Sequence, residues 1–294
     1  MKKWMKGLTI AGVVMIFAGT GISALAGVAG GIRSNYFGMR PFRRVMERVV
    51  YRNNSIIPFQ EWDDDDYDYN YSYDVNDISS KGEMTMVGSY KGIKNLELKV
   101  GNAIVKVVEN PELSDELVFY MKNKEYCSFS QDTEDGGTGI SVVYRSSKSR
   151  YHAEGILEIP IGFKFDEADF VVGAGELYVS SVLAKSLKLD VAAGNLTVEA
   201  FEADELEVDV AAGEARARGL INSDLEADLE AGSIDLSLAG QQTDFQYRLN
   251  CAMGNIQVGD TEYSAFAMKE NLNSGAGKKA DLNCNMGEIK VTFY

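Results

Sequence analysis

The chain has 294 residues, is 45% apolar and 25% charged, and carries a net charge of −15 with one histidine and three cysteines. That charge argues against nucleic acid as a partner, because phosphate binding requires a basic surface. The lone histidine, His152, removes most catalytic triads and His-rich metal sites, and three cysteines do not make a disulfide framework.

MKKWMKG is a basic opening, and Gly7 to Ile32 runs 26 residues without a charge. About 20 such residues cross a bilayer, so residues 1–32 are predicted to be a signal-anchor transmembrane helix. Ala24-Leu25-Ala26 also fits a cleavage site, which leaves release after Ala26 open. Lys2, Lys3 and Lys6 precede the span, but Arg33, Arg40, Arg43, Arg44, Arg48 and Arg52 follow it. The positive-inside rule therefore gives no clean vote. The expected topology, with the C-terminal part outside, rests on the export-signal character of the start.

Residues 33–80 read as a juxtamembrane segment and linker. Phe42, Val45, Met46, Val49 and Val50 share one helical face, with arginines mostly on the other. Such a helix suits anionic headgroups or a docking place on the following domain. EWDDDDYDYNYSYDVND (61–77) holds eight carboxylates and no base, the composition of a solvated spacer. It lacks the glycine and the final glutamate of an EF-hand loop.

From residue 81 onward the pattern is that of strands. LELKVGNAIVKV (96–107) places Leu96, Leu98, Ala103 and Val105 around Gly101. ELVFYM (116–121), ISVVYR (140–145) and GILEIPIGFKF (155–165) are further predicted strands, with QDTEDGGTG (131–139) as an exposed turn. These irregular units are expected to cap one end of a stack, and Phe293 and Tyr294 the other.

Six copies of one pattern then follow, anchored on Gly175, Gly194, Gly213, Gly232, Gly254 and Gly287. The first four are 19 residues apart, and the next gaps are 22 and 33. Counted from each glycine, positions −7, −5, −3, +2 and +4 are all apolar, and position −6 is always charged. Period two on either side of the glycine means strands, and the odd step from −3 to +2 marks a corner. A fixed period near 20 signals stacked repeats. The predicted fold is all-β, a single-stranded parallel β-solenoid with about 19 residues per rung over 81–294, preceded by the transmembrane helix. Cys251 and Cys284 share the inward −3 slot; if the long last insertion loops out, they stack on neighbouring rungs as buried thiols or as a pair.

The blocks NLELKVGNAIVKV, ILEIPIG, VVGAGELYV, DVAAGNLTV, DLEAGSIDL and MGNIQV resemble the bacterial putative-adhesin family, a domain-of-unknown-function family of surface β-solenoids, often membrane-tethered. The resemblance covers residues 90–294. It implies a surface location and supplies no catalytic residues.

Position −4 holds Asp190, Asp209 and Asp228 on consecutive rungs, then Asn250 and Asn283. An exposed, solvated stripe that blunts edge pairing is the expected role; a calcium site on the three aspartates is the alternative. No cofactor is implied, and the ladder acids do not single out a catalytic pair. The resulting reading is a non-enzymatic, membrane-anchored, adhesin-like or envelope-stress accessory module on the outer face of a bacterial cytoplasmic membrane, with a surface protein or polysaccharide as ligand. A polysaccharide-acting enzyme and a self-assembling scaffold are the alternatives.

Overall fold

The computed structural model describes residues 82–294, apart from 123, 125–126, 135–136, 145–152 and 265–267. The transmembrane segment 1–32, the amphipathic and acidic stretches of 33–80, and His152 lie outside the described residues. Among the described residues no helix is long and apolar enough to cross a membrane. The fold is all-β, with a 3-10 turn at Gln242–Asp244.

The irregular opening forms β1 (Thr85–Lys91), β2 (Asn95–Val100), β3 (Ala103–Asn110), β4 (Glu116–Lys122), β5 (Cys127–Glu134), β6 (Gly137–Tyr144) and β7 (Ala153–Pro160). The regular repeats form β8 (Lys164–Val172), β9 (Glu176–Val179), β10 (Val182–Val191), β11 (Asn195–Val210) and β12 (Glu214–Leu238). The end comprises β13 (Phe245–Val258), β14 (Thr261–Tyr263), β15 (Met268–Leu272) and β16 (Lys278–Phe293).

Alternation drives the repeats. Each apolar slot points inward and meets the same slot of the next strand, so burial is shared down a column. All thirty slots of the six copies are buried. A fully buried Val or Leu contributes about 1.5–3 kcal/mol, as an upper estimate. β10, β11 and β12 pair in parallel, with Leu187 beside Leu206 and Leu206 beside Leu225, an offset of 19 residues each time. A third short row, Val182–Ala184 beside Phe201–Ala203 beside Gly219–Ile221, joins the two main ones. The periodicity marks two strands per unit; this third row escapes it because its buried residues are few, Val182 and Ala184, then Phe201 and Ala203, then Ile221 alone, and the last unit is shifted by one residue.

Four further details differ from expectation. In the opening unit, Ile104 lies beside Glu176 and Val105 beside Leu177, so Ala103 takes the anchor place and not Gly101. The inward set there is Leu96, Leu98, Val100, Val105 and Val107, all buried. The shift is two residues, which keeps every side chain on its face. Residues 155–165 are two strands, because Gly162 at φ 68 turns the chain after Pro160. Gln131–Glu134 and Gly137–Gly139 are not an open turn but the antiparallel arms of the β5–β6 hairpin. Phe293 does not close the end: its ring packs 6.1 Å from Phe245, and Tyr294 lies 4.0 Å from the Arg218 guanidinium.

The order of units in space is not their order in sequence. β2 and β3 lie between β6 and β7 on one side and β8 and β9 on the other. At the far end β16 lies between β12 and β13, parallel to both. Spatial order thus departs from chain order at both ends: the opening strands β2 and β3 lie inside the later β6 and β7, and the last strand, β16, lies inside β13. Antiparallel strands cover both ends: β1, β4 and β5 at one, β14 and β15 at the other.

Candidate functional site

The glycines stack in the order 175, 194, 213, 232, 287, 254. A Cβ on Gly213 would fall onto the carbonyl oxygen of Gly194 and crowd Val191. The corner is thus tight enough to bring successive backbones together: Glu214 N–H donates to Gly194 C=O at 3.0 Å and Ala211 N–H to Val191 C=O at 2.8 Å. Gly232 and Gly287 stand at φ 120 and 122, a conformation other residues rarely adopt.

That corner fixes which side chains face out on the strand before it. On β11 these are Glu205, Glu207 and Asp209; on β12 they are Asp224, Glu226, Asp228 and Glu230. The register sets Glu205 beside Asp224, Glu207 beside Glu226 and Asp209 beside Asp228, about 4.8 Å apart. Every residue on this face of the two adjacent stretches is a carboxylate; Glu205 and Glu226 are exposed, Glu207, Asp224 and Glu230 half-buried, and Asp209 and Asp228 buried. Cations enter on the flanking strands, where Lys188 bridges to Glu167 at 3.0 Å and Arg248 to Asp281 at 3.2 Å.

The structure brings Asp190, Asp209 and Asp228 together in one column, but not as an exposed stripe. Asp190 and Asp209 are 0% exposed and Asp228 7%. A short aspartate in the middle of a stack has a column neighbour above and below and longer side chains of the −6 row beside it. An isolated strand would leave it in water. Among the described residues no group of three or more His, Cys, Asp or Glu is arranged to hold a metal ion.

The column continues through Asn283 and then Asn250, in the spatial order set by β16. Asn283 Nδ2 donates to Asp228 Oδ1 at 2.5 Å, and Asn250 Nδ2 to Asn283 Oδ1 at 2.6 Å. Beside it, Asn285 Nδ2 donates to Glu230 Oε2 at 2.6 Å. Burial pushes the Glu230 carboxyl up; the Asn285 bond partly opposes this and the nearby Asp228 adds to it. The Glu230–Asn285 pair was missed from sequence, since it joins residues 55 apart that only the insertion of β16 makes neighbours. The unbroken acidic face of β11 and β12 was legible as ELEVDV and DLEADLE.

Cys251 and Cys284 are neighbours across β13 and β16, both free and buried. Burial, with Cys251 adjacent, pushes the Cys284 thiol up to about 12.

On the opposite strands, after the corner, the outward row mixes signs. Arg216 pairs with Glu214 at 2.6 Å, and Asn255 donates to Glu288 at 3.1 Å. The acidic face is therefore a property of one side of the ladder and not merely of the net charge.

No curated protein matches the chain. Among solved structures, a putative cell adhesion protein from Clostridium sporogenes is 9% identical, with 72% of this chain and 100% of that one covered and a TM-score of 0.32. A putative lipid binding protein from Parabacteroides distasonis is 13% identical, covering 72% and 97% with a TM-score of 0.33. A putative adhesin from Bacteroides fragilis is 10% identical, covering 71% and 97% with a TM-score of 0.29. The Toastrack DUF4097 family model matches residues 76–292, which takes in every glycine-anchored unit and leaves the apolar N-terminus outside. On that match, the chain belongs to the Toastrack DUF4097 family.

Proposed function

We propose that this protein is a non-enzymatic surface binding module, held on the outer face of a bacterial cytoplasmic membrane by residues 1–32, spaced by 33–80, and displaying 81–294. The 19-residue offset of β10, β11 and β12 supports a single-stranded parallel β-solenoid winding for the displayed part. The observation that carries the binding reading is the acidic face of β11 and β12. Glu205, Glu207, Asp224 and Glu226 reach solvent on that face and carry one sign of charge, and a cationic ligand lying along them is complementary to it. The ligand is thus a basic segment of another surface protein, bound with strong salt dependence.

The test uses the full chain in detergent with three fluorescent probes: a Lys/Arg-rich peptide, an Asp/Glu-rich peptide and a neutral glucan. Binding of the first alone is expected, weakened by salt and by the combined Glu205→Gln, Glu207→Gln and Glu226→Gln variant. Binding of the glucan, or of the basic peptide undiminished in the variant, would overturn the reading. Location is tested separately: protease added to wall-stripped cells should release the displayed part by cutting within 61–77, and full protection until lysis would place it in the cytoplasm.

A further inference from the structure

β16 is the last segment of the chain, yet it occupies an interior place. Both of its edges are hydrogen-bonded, to β12 on one side and β13 on the other, both parallel. Its inward residues Ala280, Leu282, Cys284, Ile289 and Val291 complete columns that run from β12 to β13 and are at most 1% exposed. Without it, β12 and β13 would face each other across two strand spacings, about 9.6 Å, a gap that only an extended strand fits.

The strand reaches this place through a slender connection. β15 runs antiparallel on the outer edge of β13, and residues 273–277 carry the chain back past the start of β13 to its inner edge. Asn273, at φ 54, is the one non-glycine residue with positive φ among the described residues, and Gly275 stands at φ 103. The connection is held by Ala276 N–H to Asn273 C=O at 3.1 Å and Asn273 Nδ2 to Gln242 C=O at 3.4 Å. A Cβ on Gly275 or Gly277 would meet nothing within 4 Å, so the loop packs closely on nothing there.

We propose that the space between β12 and β13 is a strand-acceptor slot that takes the Lys278–Phe293 strand of a second copy of this chain in place of its own. Straightening 273–277 frees the strand and releases the left-handed turn at Asn273. The strand's backbone hydrogen bonds and apolar neighbours form again in the second copy, so only the hinge differs between the two forms. The exchange is reciprocal and closes as a two-fold pair. A β-ladder whose last unit sat at its end would have no such slot: losing that unit would only shorten it.

The paired cysteines give the test. Two full-length variants are made, both with Cys127→Ala; one also carries Cys251→Ala and the other Cys284→Ala. Neither has the partner needed for a Cys251–Cys284 link within one chain. The two are mixed, warmed to just below the melting transition with a reagent that bridges neighbouring thiols present throughout, which reaches Cys251 and Cys284 while the strands are open, and then cooled. A covalent dimer in the mixture, absent from either variant alone, is expected. Deleting Gly275 and Ala276 should increase it, because a shorter hinge cannot fold back. The Cys127→Ala chain with both remaining cysteines must give the intrachain link, which shows that the reagent reaches the pair. No dimer from the mixture while that link forms would overturn the proposal. A second arm covers variants that fold poorly. The otherwise natural chain, with a protease site inserted between Ser274 and Gly275, is cut in the native state and incubated with a fluorescent peptide of residues 276–294. Uptake of the peptide with release of the original fragment supports the slot. A cut protein that keeps its original fragment and takes up no peptide, even when held just below its melting transition, shows that the strand does not exchange out of its place, and overturns it.

Discussion

Gly213 and Gly277 are the same residue in opposite circumstances. Gly213→Ala drives a Cβ into the Gly194 carbonyl, backbone that cannot move without shifting the whole corner. A loss of about 1–3 kcal/mol is expected, read as a fall in melting temperature. Gly277→Ala meets open space and should stay within about 1 kcal/mol of the natural protein. A second contrast tests the facing of side chains. Val210 is 0% exposed among aliphatic neighbours, so Val210→Asp should cost several kcal/mol, on the order of the stability of a domain. Arg216 is exposed and pairs with Glu214, and Arg216→Asp should cost under about 1 kcal/mol. Equal tolerance of the two would mean the register is wrong. Glu230 supplies a pH dependence. Its carboxyl is raised by burial, so the folded state holds a proton that the unfolded state gives up near pH 4.5. Stability from this group is present below that pH and is lost as pH rises through the higher folded value. Glu230→Gln, which keeps an acceptor for Asn285, should flatten the melting-temperature profile on the mildly acidic side. An unchanged profile would show that Glu230 is not held in a costly place.

At the scale of elements, the pairing of β13 with β16 decides the chemistry of the two inward cysteines. Cys284, pushed up to about 12, keeps its proton at neutral pH, and the thiol is far less nucleophilic than a thiolate. Neither Cys251 nor Cys284 should react with iodoacetamide at pH 8 in the folded chain, and both should react in denaturant; mass spectrometry counts the adducts. Prompt labelling of either in the native protein would mean that β16 is not seated between β12 and β13. The sign of the linkage follows: a thiol raised from about 9 to about 12 gives stability that is lost as pH climbs through that interval. Strand facing was largely legible in the sequence, because period-two alternation is a local signal. The burial of Asp190 and Asp209 was not, since it depends on what neighbouring strands place beside them.

For the molecule as a whole, interior position and chain position part company. In a ladder stacked in sequence order the last strand frays first. Here β16 is flanked on both edges, and its amides from Leu282 to Val291 should fall in the slowly exchanging class with β12. The short β14 and β15, each paired on one side to β13, should exchange first. Hydrogen exchange followed by mass spectrometry separates the two cases. Fast exchange across β16, at the rate of β14, would count against the insertion and against the strand-acceptor slot with it.

The order of residues along the chain was enough for the all-β character, the glycine corners, the inward columns from Ala168 to Val291 and the family. Each rests on residues close together in the chain, and the 19-residue spacing carries the register from one unit to the next. Folding in three dimensions was needed for the order of the units at both ends, the anchor place of Ala103, the buried acid–amide column and the Glu230–Asn285 pair. The reason is physical: Gly254 and Gly287 are followed by equally good strands, and either would pair with β12 on pattern alone. The choice between them falls to the long connection 259–277, whose antiparallel strands hold β13 at the edge and leave the inner place to the segment that comes last.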